Sequence, residues 1–235
     1  MLRFFKSSVN IPLNRLDAPR SLFLSLEGGA PFEQDIERLH TIKADGISSV
    51  SLTWNGDNAL AGGALGFGGL TEKGVSAIRL INRLSLALDI SHLNEKSALK
   101  AVELSDTPLA SHSNARVVKD HPRNLSDDIL KMIKDKSGLV GINFYPPFVG
   151  GIDIFDGVFR HIYHLLSLGL EENIALGSDF DGGDMDDKLK NTEDVFNLYD
   201  CLLGRLGDKI LLDKMFFGNA YTFYQKLFDK QGIVL

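Results

Sequence analysis

At 235 residues and 44% hydrophobic content, the chain is long enough for one large α/β domain or two small ones and has ample material for a core. A formal net charge of −6 with no basic run argues against a nucleic-acid partner, and no apolar run reaches the ~20 residues of a membrane span. The lone Cys201 rules out an intramolecular disulfide and fits a reducing compartment, so the cytoplasm is the expected location.

Residues 1–20 are weakly patterned, and their apolar stretch is too short for a signal peptide to be expected. Residues 21–26 (SLFLSL) form a mostly apolar run into Glu27, broken by Gly28 and Gly29. Phe32, Ile36, Leu39 and Ile42 are spaced for a helix over 32–44, which Gly46 ends. Residues 47–52 then read as a strand leading into Thr53-Trp54-Asn55. The glycine-rich stretch 59–70 is a loop long enough to belong to a site. Thr71 and Glu72 open a helix through Arg83, with Val75, Ile78, Leu80 and Ile81 as its apolar face.

The middle of the chain carries a repeated pattern. Apolar runs at 86–90 and 108–110 each lead into Ser-His, as Ser91-His92 and Ser111-His112, with an amphipathic stretch 94–104 between them. A buried strand, a helix and a second such strand make one βαβ unit, which places both histidines at the C-terminal ends of neighbouring parallel strands. One Ser-His alone reads as a histidine satisfied by hydrogen bonds. Two in matching positions favour a metal.

A polar connection containing His121-Pro122-Arg123-Asn124 leads to a helix over 126–134, capped by Ser126. Residues 138–142 form a strand ending in Asn143-Phe144-Tyr145, 154–168 a helix, and 174–176 a strand running into Gly177-Ser178-Asp179-Phe180-Asp181-Gly182. From Thr192 to Phe228 the pattern is helical, broken near 204–207 and at Gly218-Asn219. No linker or repeat divides the chain, so one domain over 1–235 is expected. The fold class is α/β, TIM-barrel-like and incomplete. About six strand-helix units are present where a closed barrel takes eight, typically in ~250 residues.

Glu27, His92, His112 and Asp179 sit at strand ends and suit Zn2+ or a similar divalent ion. Taken singly, Glu27 reads equally as a turn residue, Asp179 and Asp181 as caps, and Trp54 more readily as core. His40, His161 and His164 fall inside helix patterns and read as surface or core-edge residues. His121 reads either way.

Eight stretches recur together in one known family: Leu26-Glu27-Gly28-Gly29, Ser51-Leu52-Thr53-Trp54-Asn55, Gly69-Leu70-Thr71, Asp89-Ile90-Ser91-His92, Ser111-His112-Ser113-Asn114-Ala115, Pro122-Arg123-Asn124-Leu125-Ser126-Asp127, Val140-Gly141-Ile142-Asn143-Phe144 and Gly177-Ser178-Asp179-Phe180-Asp181-Gly182. From about Phe23 to Phe223 the sequence resembles the membrane (renal) dipeptidases and their bacterial relatives, zinc peptidases with a barrel fold. The resemblance implies a two-zinc site bridged by the glutamate matching Glu27. His92 and His112 match the ligands completing the second zinc. Asp179 matches the aspartate serving the first zinc and the attacking water, and with Glu27 it would carry the catalysis. Arg123 matches the receiver of the substrate carboxylate, with Trp54 and Asn143 also facing the substrate.

Two departures stand out. Trp54 occupies a place where the animal enzymes have histidine, and indole can only donate a hydrogen bond. The His-x-Asp that completes the first zinc occurs nowhere in the 235 residues. One ion rather than two is therefore expected. The primary reading is a zinc-dependent hydrolase of short peptides. The alternative is a non-catalytic or truncated member of the same fold, binding one metal or none. An unrelated binding module with structural histidines is the remote third. An unclosed sheet has two sticky edges, so residues 1–20 folding across the gap, a second copy covering the edges, or poor solubility is expected.

Overall fold

A computed structural model describes residues 22–230. The weakly patterned segment 1–20 and Ser21 of the first predicted strand lie outside the described residues, as do 231–235.

The first half alternates strand and helix: β1 (Leu24–Leu26), α1 (Arg38–Ala44), β2 (Ile47–Ser51), α2 (Glu72–Arg83), β3 (Ala87–Asp89), α3 (Glu95–Leu104) and β4 (Pro108–Ala110). There follow α4 (Asp127–Asp135), β5 (Leu139–Ile142), the single turn α5 (Pro146–Val149), α6 (Ile154–Ser167) and β6 (Ile174–Leu176). The chain ends in α7 (Asp194–Leu206), α8 (Lys209–Asp213), a π-helical turn (Lys214–Gly218) and α9 (Asn219–Lys230). The six strands lie in chain order and every neighbouring pair is parallel. Among the described residues the sheet does not close; β1 and β6 are its two ends.

Local chemistry starts the helices where the sequence suggests. Thr71, Asn94, Ser126, Asp153 and Asp208 each accept a hydrogen bond from a backbone N–H three residues on, satisfying donors that a first helical turn leaves unpaired. Side-chain alternation then sorts the sheet into two faces. Val50, Leu88, Ala110, Val140 and Ile174 pack with the helices in the main core. Ala87, Leu109, Leu139 and Ala175 point the other way and form a second cluster with Phe223 and Leu227 of α9. The terminal helix therefore lies against the inner face of the sheet. Its Tyr224 and Phe228 stack on Phe23, at the entry to β1, with ring centroids 4.6 and 5.5 Å apart.

Three expectations need correction. The helix predicted over 32–44 forms only from Arg38. Gly29 O takes the N–H groups of both Phe32 and Glu33, and Asp35 Oδ1 accepts from Glu37 N, so local backbone bonds and one side-chain bond hold 32–37 in turns. Gly218-Asn219 is no break, because α8, the π turn and α9 run on continuously; the true break is Gly207, with φ +67°. His161 is fully buried rather than at the surface or core edge. It accepts from Ala115 N–H at Nδ1 and lies 2.9 Å from Val149 O at Nε2.

Candidate metal centre

Each strand delivers one or two residues with polar groups to the C-terminal rim of the sheet. Glu27 follows β1, Trp54 and Asn55 follow β2, His92 and His112 follow β3 and β4, Asn143 follows β5 and Asp179 follows β6. Glu27, His92 and His112 come together, with their ligand atoms all within 4.8 Å of one another. Glu27 Oε1 is 2.7 Å from His92 Nε2, which is 2.9 Å from His112 Nε2. Glu27 is half open to solvent whereas His92 is buried.

The backbone at His92 is held in the left-handed region, φ +76°, a conformation that costs a non-glycine residue about 1–3 kcal/mol. The glycine-rich loop holds it there. Ala64 N–H donates to His92 O at 2.7 Å, Thr53 Oγ1 donates to the same oxygen at 3.3 Å, and Gly63 bridges Leu93. The loop is in turn wound on Asp57, whose carboxylate accepts from the N–H groups of Gly63, Phe67 and Gly68.

The ring nitrogens facing away from the cluster are also held. His92 Nδ1 lies 2.9 Å from Asn55 Oδ1, and His112 Nδ1 lies 2.7 Å from Ser111 Oγ. The Asn55 oxygen can only accept, so with a cation held in the cluster His92 would carry its proton on Nδ1 and offer the Nε2 lone pair. A carboxylate oxygen and two imidazole nitrogens directed at one small volume suit a divalent cation. The His92 hydrogen bond holds Glu27 below the usual carboxylate range, and burial pushes His92 below the ordinary histidine value.

Asp179 does not join this cluster of three. Its backbone is left-handed, φ +62°, and its Oδ2 accepts from Asn143 Nδ2 at 3.0 Å. Asn143 is itself fixed, accepting at Oδ1 from Tyr145 N–H and donating its backbone N–H to Asn114 Oδ1. Gly141 and Gly177 let the strand ends crowd here; a Cβ on either would lie 2.1 or 2.0 Å from Ser111 O.

Arg123 is 5% exposed, and among the described residues its Nε and Nη2 have no hydrogen-bond partner. Its guanidinium lies over the Phe148 ring, 5.2 Å from the centroid, and within electrostatic reach of Asp179, Asp89 and Glu27. Burial lowers its pKa and those carboxylates oppose the change, but guanidinium stays charged regardless. A buried, planar cation with free donors has the geometry that pairs with a carboxylate. Trp54 is 62% exposed, so the core reading of it fails; its ring stacks on His92 with centroids 5.8 Å apart.

The residues that sequence reasoning left without a role are Asn55, Asp89 and Ser111. All lie inside the quoted motifs. Asp89 was findable by alternation, since it shares the inner face with Ala87 and sits two residues from it.

The protein-family model for membrane dipeptidase, peptidase family M19, matches residues 2–227. An uncharacterized protein in the pqqA 5'region of Klebsiella pneumoniae is 32% identical over 233 residues, covering 93% of this chain and 86% of its own length. An uncharacterized dipeptidase of Schizosaccharomyces pombe is 37% identical over 174 residues, 70% of this chain but 42% of that protein. The solved metallo peptidase from Rhodobacter sphaeroides, liganded with a phosphinate mimic of the dipeptide L-Ala-D-Ala, superposes with a TM-score of 0.82 at 30% identity. That match covers 88% of this chain and 63% of the Rhodobacter chain. The chain thus spans most of the Klebsiella protein but less than two thirds of the solved peptidase and less than half of the yeast one. Among the described residues no helix is long and apolar enough to cross a membrane.

Proposed function

The chain belongs to the membrane dipeptidase family, and from that premise we propose that it is a metal-dependent hydrolase of dipeptides. Glu27, His92 and His112 hold one Zn2+. The observation that carries this reading is the pair of imidazole Nε2 atoms facing each other at 2.9 Å beside the Glu27 carboxylate. One ion is proposed because no His-x-Asp occurs in the 235 residues. Zinc, when bound, acidifies a water and stabilises the oxyanion of the addition step.

The remaining roles belong to the chain's own side chains. Arg123 receives the substrate's terminal carboxylate through its free Nε and Nη2 donors, which limits the substrate to short peptides. Asp179, oriented by Asn143, takes the proton of the attacking water and returns it to the leaving amine. Trp54 forms an apolar wall on the open side of His92. The alternative is a non-catalytic member of the fold, which the missing His-x-Asp keeps in view.

The test pairs two measurements on the full chain. Zinc titration of metal-free protein reads the stoichiometry. Release of free amino acid is then followed with a panel of dipeptides that includes L-Ala-D-Ala, the dipeptide mimicked in the Rhodobacter ligand. One zinc per chain with zinc-dependent turnover supports the proposal. Zinc binding without turnover selects the non-catalytic reading, and no zinc binding overturns the proposed metal-dependent hydrolase and leaves the non-catalytic member that binds no metal.

A further inference from the structure

Behind His112 lies a buried carboxylate that the reaction does not touch. Asp89 is 6% exposed. Its Oδ1 accepts from the backbone N–H groups of Ser91 and Ser111, each at 3.0 Å, and its Oδ2 accepts from Ser111 Oγ. All three partners are donors, so Asp89 acts here only as an acceptor. Ser111 Oγ has one proton, and Asp89 takes it. The same oxygen is 2.7 Å from His112 Nδ1, so it can only accept there. His112 must therefore carry its proton on Nδ1 and leave Nε2 bare.

We propose that Asp89, acting through Ser111, is a positioning residue that sets the tautomer of His112 and so makes it a ligand. The inference rests on the reading of Glu27, His92 and His112 as a metal site. The relay fixes one nitrogen of the ring; Asn55 does the same for His92 by a direct bond. Two independent devices thus aim both Nε2 atoms into one volume. Without them an imidazole is free to present N–H instead, and an N–H cannot bind a metal.

Asp89→Asn should do more than remove a charge. Two backbone N–H groups require an oxygen at the Oδ1 position, which forces the new NH2 towards Ser111 Oγ. The hydroxyl proton must then turn to His112 Nδ1, and the ring proton moves to Nε2, where the metal would bind. The relay runs backwards.

Two readouts separate this inference from the reading it rests on. Long-range 1H–15N correlation spectra of the metal-free full chain, labelled at histidine, report the His112 tautomer without any metal. Zinc affinity by chelator competition reports the consequence. The expected results are an Nδ1–H tautomer in the natural chain, an Nε2–H tautomer in Asp89→Asn, and a zinc affinity about 10–100-fold weaker in that variant. Ser111→Ala breaks the relay without reversing it, so it should lose less. Placed on Asp89→Asn, it should restore part of the lost affinity. If Asp89→Asn does not fold, as read by circular dichroism, Ser111→Ala carries the test through a loss of the protected Nδ1 proton. An unchanged His112 tautomer in the folded variants overturns the relay. A natural chain that shows the expected tautomer but binds no zinc overturns the metal site instead.

Discussion

His161 offers the most quantitative test of the structure around the site. From α6 it ties two segments together: Ala115 N–H, three residues after His112, and Val149 O, next to the Phe148 ring beneath Arg123. Nδ1 accepts and Nε2 donates, so the buried ring is neutral, and burial depresses its pKa from 6.5 to about 4. A depressed histidine binds its proton in the unfolded chain first. Its contribution is therefore constant above pH ~6.5 and is lost as pH falls towards 4. Linkage with those two values gives a loss of about 2 kcal/mol between pH 7 and pH 5, out of a total stability of ~5–15 kcal/mol. His161→Gln can donate to Val149 O and accept from Ala115 N–H but does not titrate. Urea unfolding of both chains in metal-free buffer at the two pH values cancels every other ionisable group. The natural chain should lose about 2 kcal/mol more than the variant on acidification. Parallel losses, equal within ~0.5 kcal/mol, would mean that His161 is not held neutral in the core and that this bridge is misread.

Three other outcomes follow from the geometry. His112→Ala should lower bound zinc from one ion per chain to near zero after dialysis, because only two of the three protein ligands of a tight site would remain; metal analysis showing unchanged content would sink the ligand assignment. Arg123→Lys keeps the charge but loses the fork, so KM for dipeptides should rise about 10–100-fold, the equivalent of ~1.5–3 kcal/mol, with metal content unchanged. Leu227→Ala empties part of the inner cluster and should cost about 2–5 kcal/mol, which lowers the melting temperature by roughly 4–20 °C for a chain of this size; a shift under ~2 °C would show that α9 does not pack there.

Strand positions were legible because buried parallel strands read as short apolar runs that stop at a polar residue; Pro108–Ala110 and Ile174–Leu176 match to the residue. Helix starts were legible through Thr71, Asn94 and Ser126, whose capping chemistry is local. The position of α9 was not. Its apolar stripe tells that one side is buried, but Phe223 and Leu227 look the same whether they face the outer helices or the inside of the sheet. His161 was misjudged for a related reason: periodicity places a residue on a face without revealing that two backbone groups wait there. The convergence of Glu27, His92 and His112 could be anticipated because strand ends of one parallel sheet share a rim. The Asp89–Ser111–His112 chain could not, since it depends on which hydroxyl proton points where.

The packing of α9 against the inner face has a consequence for synthesis. The strands that it covers are complete by Leu176, while the helix runs from Asn219 to Lys230. At ~5–20 residues per second, a ribosome needs about three to ten seconds to make the intervening stretch and the helix. During that interval Ala87, Leu109, Leu139 and Ala175 have no cover and the nascent sheet is a surface for other chains to stick to. Each βα unit can dock on the one before it as it emerges, but the final seal is a contact between distant parts of the sequence. A ribosome that stalls between residues 176 and 219 would therefore release a chain whose strands are formed and whose interior is open.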